Sequence, residues 1–275
     1  MKFTRKLFCA LLLVLAFSSS AFARHKLGMI TLSNTSAEDF GILILGASDM
    51  PKNDLFGNLE PPTFVFYDTF NDLNDALKRG DIDEIVYPEL IADFIIKYFP
   101  DYEVQCIRRN DSGNFAFAFL KNKEGLRDEF NEALRILRGD MTLTGLANRY
   151  YRVPNASASD VIEFEKFEGA ETIKVAVTGD NPPLDMFSSD GKPIGFNVAV
   201  LSKIGKLLKK NIELVSINSG ERVSALKSGK ADVIFGCLSF NSPLLWSVDI
   251  PDDIIASDPY FSWNNLLHVG LKKSR

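Results

Sequence analysis

Short apolar runs alternate along this chain with longer segments in which apolar residues recur every three or four positions. Leu27 to Leu32, Phe64 to Tyr67, Phe115 to Leu120, Ile173 to Val177 and Ile212 to Ile217 are too short for helices and end in polar or turn residues, so they predict strands. Three stripes have helical spacing: Phe70, Leu73 and Leu77; Leu126, Phe130, Leu134 and Leu137; and Phe196, Val200, Leu201, Ile204 and Leu208. Thr69 and Asp72 form a candidate capping pair for the first. After Ile173 to Val177 the run Gly179-Asp180-Asn181-Pro182-Pro183 predicts a loop, because proline cannot donate to a ladder. Strands alternating with helices predict an α/β protein with largely parallel sheets.

One segment of this pattern occurs twice. Residues 76–86 read Ala-Leu-Lys-Arg-Gly-Asp-Ile-Asp-Glu-Ile-Val, and residues 225–235 read Ala-Leu-Lys-Ser-Gly-Lys-Ala-Asp-Val-Ile-Phe. In each, a helix is expected to end at a glycine, Gly80 or Gly229, which can take the left-handed conformation. A turn holding Asp83 or Asp232 then leads into a buried strand. Two copies predict two related α/β units. Between the halves, Val153 to Ala170 is rich in Ser, Ala and Asn and then in Glu, which marks a linker.

Composition narrows the class. Residues 1–23 carry Lys2, Arg5 and Lys6, an apolar run from Leu7 to Phe17, and Ala21-Phe22-Ala23, the order of a secretory signal peptide with a small-x-small cleavage site. Cys9 sits inside the apolar run, where a lipid-modified cysteine is not expected, so the mature chain is expected to begin near Arg24, soluble and in the periplasm. Loss of those three cations, with no acid removed, moves the formal net charge from −5 to −8, which argues against nucleic acid or an anionic membrane as partner. With 46% hydrophobic residues the chain has ample core material and is not disordered. Cys106 and Cys237 each lie in an apolar run and read as buried thiols, with a disulfide the other reading.

Residues Thr172 to Phe261 resemble the first lobe of the extracellular solute-binding proteins of polar amino-acid ABC transporters. The resemblance rests on Ile173-Lys174-Val175-Ala176-Val177, Pro182-Pro183, Gly191 to Val198, Ala225 to Asp232 and Ser257-Asp258-Pro259-Tyr260-Phe261. Leu27 to Ile30 with Ser33 to Ser36, Tyr67 to Tyr87, and Phe115 to Tyr151 are similar to the second lobe of the same family, which here comes first. The resemblance implies a two-lobed periplasmic-binding-protein-like fold of type II with hinge strands between the lobes, circularly permuted. Residues 24–152 would be the family's second lobe, 153–170 the link joining the old termini, and 171–275 the first lobe plus a hinge strand. Tyr260 to Val269 is the expected hinge strand, partnered by the segment around Phe115 to Leu120.

The same resemblance implies a cleft that traps a small polar solute, with an ABC permease as partner and a monomeric chain. It also marks departures. The arginine that clamps a ligand carboxylate falls on Leu244 or Pro243, the aspartate that meets an ammonium falls on Pro88, and the aromatic sandwich falls on Asn181 and Ser219. Tight binding of ordinary free α-amino acids is therefore not expected. The candidate ligand-binding residues are Asp180, Asn181, Ser219, Cys237, Ser239 and Asn241 from one lobe, and Asn34, Thr35, Tyr87 and Glu89 from the other. Ser33 to Ser36 is expected at a helix start, where a serine or threonine also serves as a cap. No metal or cofactor is called for: there are two histidines, no Cys-x-x-Cys, no Gly-x-Ser-x-Gly elbow and no phosphate-cradling loop. The alternatives are a sensory or interaction protein on this fold, and a lyase like the cyclohexadienyl dehydratases with Glu89 or Asp180 as general acid.

Overall fold

The computed structural model describes residues 25–30, 63–67, 69–152, 162–188, 191–240 and 252–272. The leader, Asn34, Thr35, Asn241, Leu244 and the first half of the linker lie outside the described residues.

Among the described residues the architecture is mixed α/β, with one nine-stranded sheet and one of three short strands. The strands in chain order are β1 (Lys26–Ile30), β2 (Thr63–Tyr67), β3 (Glu84–Pro88), β4 (Tyr102–Leu120), β5 (Thr172–Val177), β6 (Asp180–Asn181), β7 (Asp185–Phe187), β8 (Pro193–Ile194), β9 (Asn211–Ser216), β10 (Val233–Phe240), β11 (Ile254–Ala256) and β12 (Phe261–Leu271). The helices are α1 (Phe70–Arg79), α2 (Glu89–Tyr98), α3 (Glu124–Gly139), α4 (Thr142–Ala147), α5 (Phe196–Leu208) and α6 (Arg222–Lys227). The large sheet runs β2-β1-β3-β12-β4-β10-β5-β9, with β11 also paired to β4, and the small one runs β6-β7-β8.

The repeated segment works the same way at both sites. Thr69 Oγ1 accepts from the Asp72 N–H at 3.1 Å, so α1 starts at the expected cap. α1 closes at Gly80 with φ 78°, and the second copy turns at Gly229 with φ 73°, a region that a side chain would make costly. The Asp83 carboxylate then accepts from the Lys26 N–H at 2.7 Å while its own N–H donates to the Lys26 carbonyl at 2.9 Å. Asp232 does the same with Lys174, at 3.0 and 2.8 Å. Each aspartate thus moors a turn to the start of a neighbouring parallel strand, β1 or β5, and fixes register without a longer connection.

Two long strands cross the middle of the large sheet. β12 runs antiparallel to both β3 and β4, pairing Phe261 with Phe115 at one end and Leu271 with Tyr102 at the other. The expected partner segment, 115–120, meets β12 only at Phe115; residues 116–118 pair with β10 and residues 118–120 with β11. The difference arises because β4 extends thirteen positions before Phe115, through a polar stretch, Arg108 to Asn114, with no apolar alternation. The register slips there, with Trp263 opposite Gly113 but Asn265 opposite Arg109. Gly113 is required at this slip: a Cβ on it would lie 2.3 Å from Cζ2 of the Trp263 indole.

α3 and α4 follow β4 in sequence but pack on the later segment. Phe130 of α3 meets Phe117 and Phe119 edge-on at 5.3 and 5.1 Å, and Tyr260 lies 4.6 Å from Phe117 and 6.0 Å from Phe196. Arg138 donates to the Pro259 carbonyl at 2.7 Å, and Lys210 pairs with Glu129 and with Glu171. The second half of the linker is strapped down as well, since the Asn211 side chain bonds the Phe167 N–H and the carbonyls of Phe167 and Ala170 at 2.9 to 3.2 Å.

Cys106 stands opposite His268, and Cys237 opposite Ala116, ten positions further along β4. At about 3.3 Å per residue that separation is of order 25 Å even after the slip, so the two backbone positions lie far beyond disulfide reach.

Candidate functional site

The strand directions define where a site can form. β1, β2, β3 and β4 run one way, whereas β5, β9 and β10 run the other. β3 ends at Pro88, opposite Leu266, which also faces Arg108. β10 ends at Phe240, opposite Gly113. The carboxyl ends of the two sets therefore point at one another across residues 108–113 of β4, and ligands in α/β proteins gather outside such ends.

Most of the candidate residues with a described backbone lie at these ends. Tyr87 is the penultimate residue of β3, and Glu89 opens α2. Asp180 and Asn181 form β6, opposite Met186 and Asp185, where the sequence predicted only a loop; the two-residue bridge escaped because the prolines follow it directly. Ser219 starts a short 3-10 turn ahead of α6, Cys237 faces Ala116, and Ser239 faces Asn114.

Two candidates have described side chains. Tyr87 is 5% exposed, its ring 6.4 Å from that of Phe70, and its hydroxyl finds no hydrogen-bond partner among the described residues. Burial, with Tyr102 nearby, holds that phenol well above its ordinary range. Glu89 Oε2 accepts from Asn265 Nδ2 at 2.7 Å. One turn further along α2, partial desolvation and then the charge of Glu89 push the carboxyl of the exposed Asp93 upward.

The loop after β5 is fixed from both sides. Asp185, 4% exposed, accepts through one oxygen from the Thr178 N–H at 2.9 Å, the Thr178 hydroxyl at 3.1 Å and the Gly179 N–H at 3.3 Å. The first N–H groups of α5, on Phe196 and Asn197, donate to the Pro183 and Leu184 carbonyls at 2.9 Å each. Asn197 in turn accepts from the Tyr260 hydroxyl at 2.9 Å, tying this frame to the start of β12.

Sequence reasoning expected the crossing strand at Tyr260 to Val269 but missed the polar contacts it makes. Asn114 accepts from the Ser262 hydroxyl at 2.6 Å, and Asn265 holds Glu89. The signal was present as Ser262, Asn264 and Asn265, polar residues breaking an otherwise apolar strand. Among the described residues no group of three or more His, Cys, Asp or Glu is disposed to hold a metal ion, and no helix is long and apolar enough to cross a membrane.

The segment that carries most of β5, the fixed loop, α5 and β10 is the one that matches a family model. Residues 173–245 match the bacterial extracellular solute-binding proteins, family 3. No curated protein matches the chain in sequence. Among solved structures, the chain is similar to the ligand-binding component of an ABC-type import system from Staphylococcus aureus, at 12% identity and a TM-score of 0.39 over 90% of this chain and 65% of that one. It is also similar to the methionine-binding protein MetQ, at 13% identity and a TM-score of 0.39 over 90% and 83%. A third is AgaA of A. tumefaciens R10 in complex with agropinic acid, at 14% identity and a TM-score of 0.39 over 76% and 55%. The chain thus spans 65% of the length of the first of these and 55% of the last. The family 3 match begins at residue 173, so the earlier half of the sheet, with Tyr87 and Glu89, lies outside it.

Proposed function

We propose that this chain is an exported solute-binding protein that closes two lobes over a small polar solute in the periplasm and delivers it to an ABC permease. The observation that carries the reading is the meeting of strand carboxyl ends from both halves of the sheet on β4 and β12, within a chain whose residues 173–245 match family 3. One lobe would hold β1 to β3, α1, α2 and the first part of β4; the other would hold the rest of β4, α3 to α6, β5 and β9 to β11. The packing of α3 and α4 on α5 supports a boundary at residues 109–113 rather than near 152. A register slip beside Gly113, with β4 and β12 the only strands continuous through it among the described residues, is a suitable bending point for closure.

The swapped lobe order is part of this proposal. Val269, Ile85 and Gly28 stand in one row across β12, β3 and β1. β12 leaves that row in the direction from which β1 arrives, so the two could be joined by a short loop, as they would be in an unpermuted relative.

The test is a thermal-shift screen of the mature protein against amino acids, amines, sugars and carboxylates. A solute at 100 times its dissociation constant stabilises the folded state by about 2.7 kcal/mol, enough to move the midpoint by several degrees. A screen in which no polar solute of any class raises the midpoint would overturn the reading.

A further inference from the structure

Resting on the swapped lobe order, we propose that His25, Glu84 and His268 form a strap that holds together, by side-chain contact, the two strands that a peptide link would join in an unpermuted relative. Glu84 opens β3, which lies between β1 and β12 in the sheet. Its Oε2 accepts from Nδ1 of His268 on β12 at 2.8 Å, and Nε2 of His25, the residue before β1, lies 3.2 Å from the same oxygen. Nδ1 of His25 stands 3.6 Å from Asp83, whose carboxylate also accepts from the Lys26 N–H. The chain has two histidines, and both meet on this one carboxylate. The side chains of Glu84 and His268 are only 15% and 10% exposed, so the contact is sheltered from water. A carboxylate offers acceptors alone, and an imidazole can present an N–H to it in either protonation state.

The internal repeat shows that the fold does not demand this trio. Asp83 and Asp232 moor equivalent turns to Lys26 and Lys174, which makes Ile173 the counterpart of His25 and Val233 the counterpart of Glu84. His268 stands opposite Val86 as Phe117 stands opposite Phe235, so Phe117 is the counterpart of His268. Ile173, Val233 and Phe117 are 1%, 0% and 0% exposed, an apolar set in the same three places. A sheltered polar set gains little in stability over an apolar one, but its hydrogen bonds choose their partners. The two copies differ in connection. In the second, β4 runs on directly into the short turn before α3, whereas in the first no segment leads from β12 to β1 in this chain order. Strand ends without a covalent neighbour fray outward from their last ladder bonds, and the trio sits where β12 and β1 would both do so. Fixing the outer end of β12 to the first half of the sheet also confines bending to the slip beside Gly113.

The experiment is backbone hydrogen exchange, read by mass spectrometry on the mature chain with no solute present. Glu84→Gln keeps the shape of the side chain and removes its charge. It is expected to speed exchange at both strand ends, residues 26–30 and 266–271, on the order of fivefold, the scale of one lost hydrogen bond, and to leave residues 173–177 of the second copy unchanged. His268→Ala is expected to loosen 266–271, and to add nothing in the Glu84→Gln background, since it acts through that carboxylate. Far-UV circular dichroism checks that each variant folds; should Glu84→Gln not fold, His25→Ala, whose ring is half exposed, is read at residues 26–30 in its place. In a chain rejoined by a short Gly/Ser link from Lys272 to His25, the effect of Glu84→Gln is expected to vanish, because the link then holds both ends. Exchange unchanged by Glu84→Gln in the mature chain, or quickened equally in the mature and rejoined chains, overturns the strap and leaves the swapped order standing. A rejoined chain that does not fold overturns the swapped order itself, and with it the strap as a substitute for a link.

Discussion

Rejoining the chain in the unpermuted order is the perturbation that most directly probes the architecture. Val269, Ile85 and Gly28 share a row, and neighbouring strands lie about 4.8 Å apart, so β12 and β1 are separated by about 10 Å with only β3 between them. Lys272 lies three residues past that row and His25 three residues before it, on the same side. Three extended residues span about 10 Å, and a six-residue Gly/Ser link has slack to pass around the turn at Ile82 and Asp83. New ends belong between Arg152 and Ile162, and the variant would therefore run from Ile162 to Lys272, through the link, and from His25 to Arg152. Exchanging a nine-residue connection for a six-residue one changes closure entropy by (3/2)RT ln(9/6), roughly 0.4 kcal/mol. The ladders and the aromatic core are untouched. The expected outcome is a soluble chain with a single cooperative urea transition, within about 1 kcal/mol of the parent. A rejoined chain that aggregates, or unfolds in separate steps with a midpoint more than 10 °C lower, by a rough allowance, would refute the placement of the two ends.

Other consequences follow from the packing and electrostatics. Phe130→Ala removes a fully buried ring that meets Phe117 and Phe119, and is expected to cost about 3–5 kcal/mol in urea denaturation. Gly113→Ala forces the Trp263 indole off the backbone it covers, and is expected to cost about 1–3 kcal/mol with a change in tryptophan emission. Asp93 has a raised folded-state pKa, so its ionisation opposes folding as pH rises through that value and the penalty is relieved below it. Asp93→Asn is therefore expected to be slightly more stable than the parent at pH 7, with the advantage vanishing in acid. Because Asp93 is exposed, the gain in paired denaturation curves should stay within a fraction of a kcal/mol.

What could be read from the sequence divides along physical lines. Elements whose cause is local were legible: the α1 stripe with its Thr69 and Asp72 cap, the glycine stops at Gly80 and Gly229, and the α5 stripe all appear where periodicity puts them. The repeat was legible because Asp83 and Asp232 must each moor a turn to a strand start, which constrains spacing as well as composition. α2 went unread, since Glu89 to Tyr98 follows β3 with Pro88 at its cap position and no side-chain cap bond to announce it.

The site was less legible than the fold, and the reason lies in β4. Its first half pairs with β12 and its second half with β10, so each half answers to a different neighbour and no single two-residue alternation runs through both. The ladder of β4 with β12 slips in register where the sequence turns polar, from Arg108 to Asn114. Taken alone, that polar run resembles a loop. Its pairing with β12 makes it a strand, and that depends on residues some 150 positions away. Asn265 inherits the same obscurity: it meets Glu89 only because β12 is seated between β3 and β4, and nothing within ten residues of either side chain announces the contact. The repeat and the caps therefore locate the two halves of the sheet from sequence, while the side-chain contacts between those halves emerge only once the crossing strands bring them together.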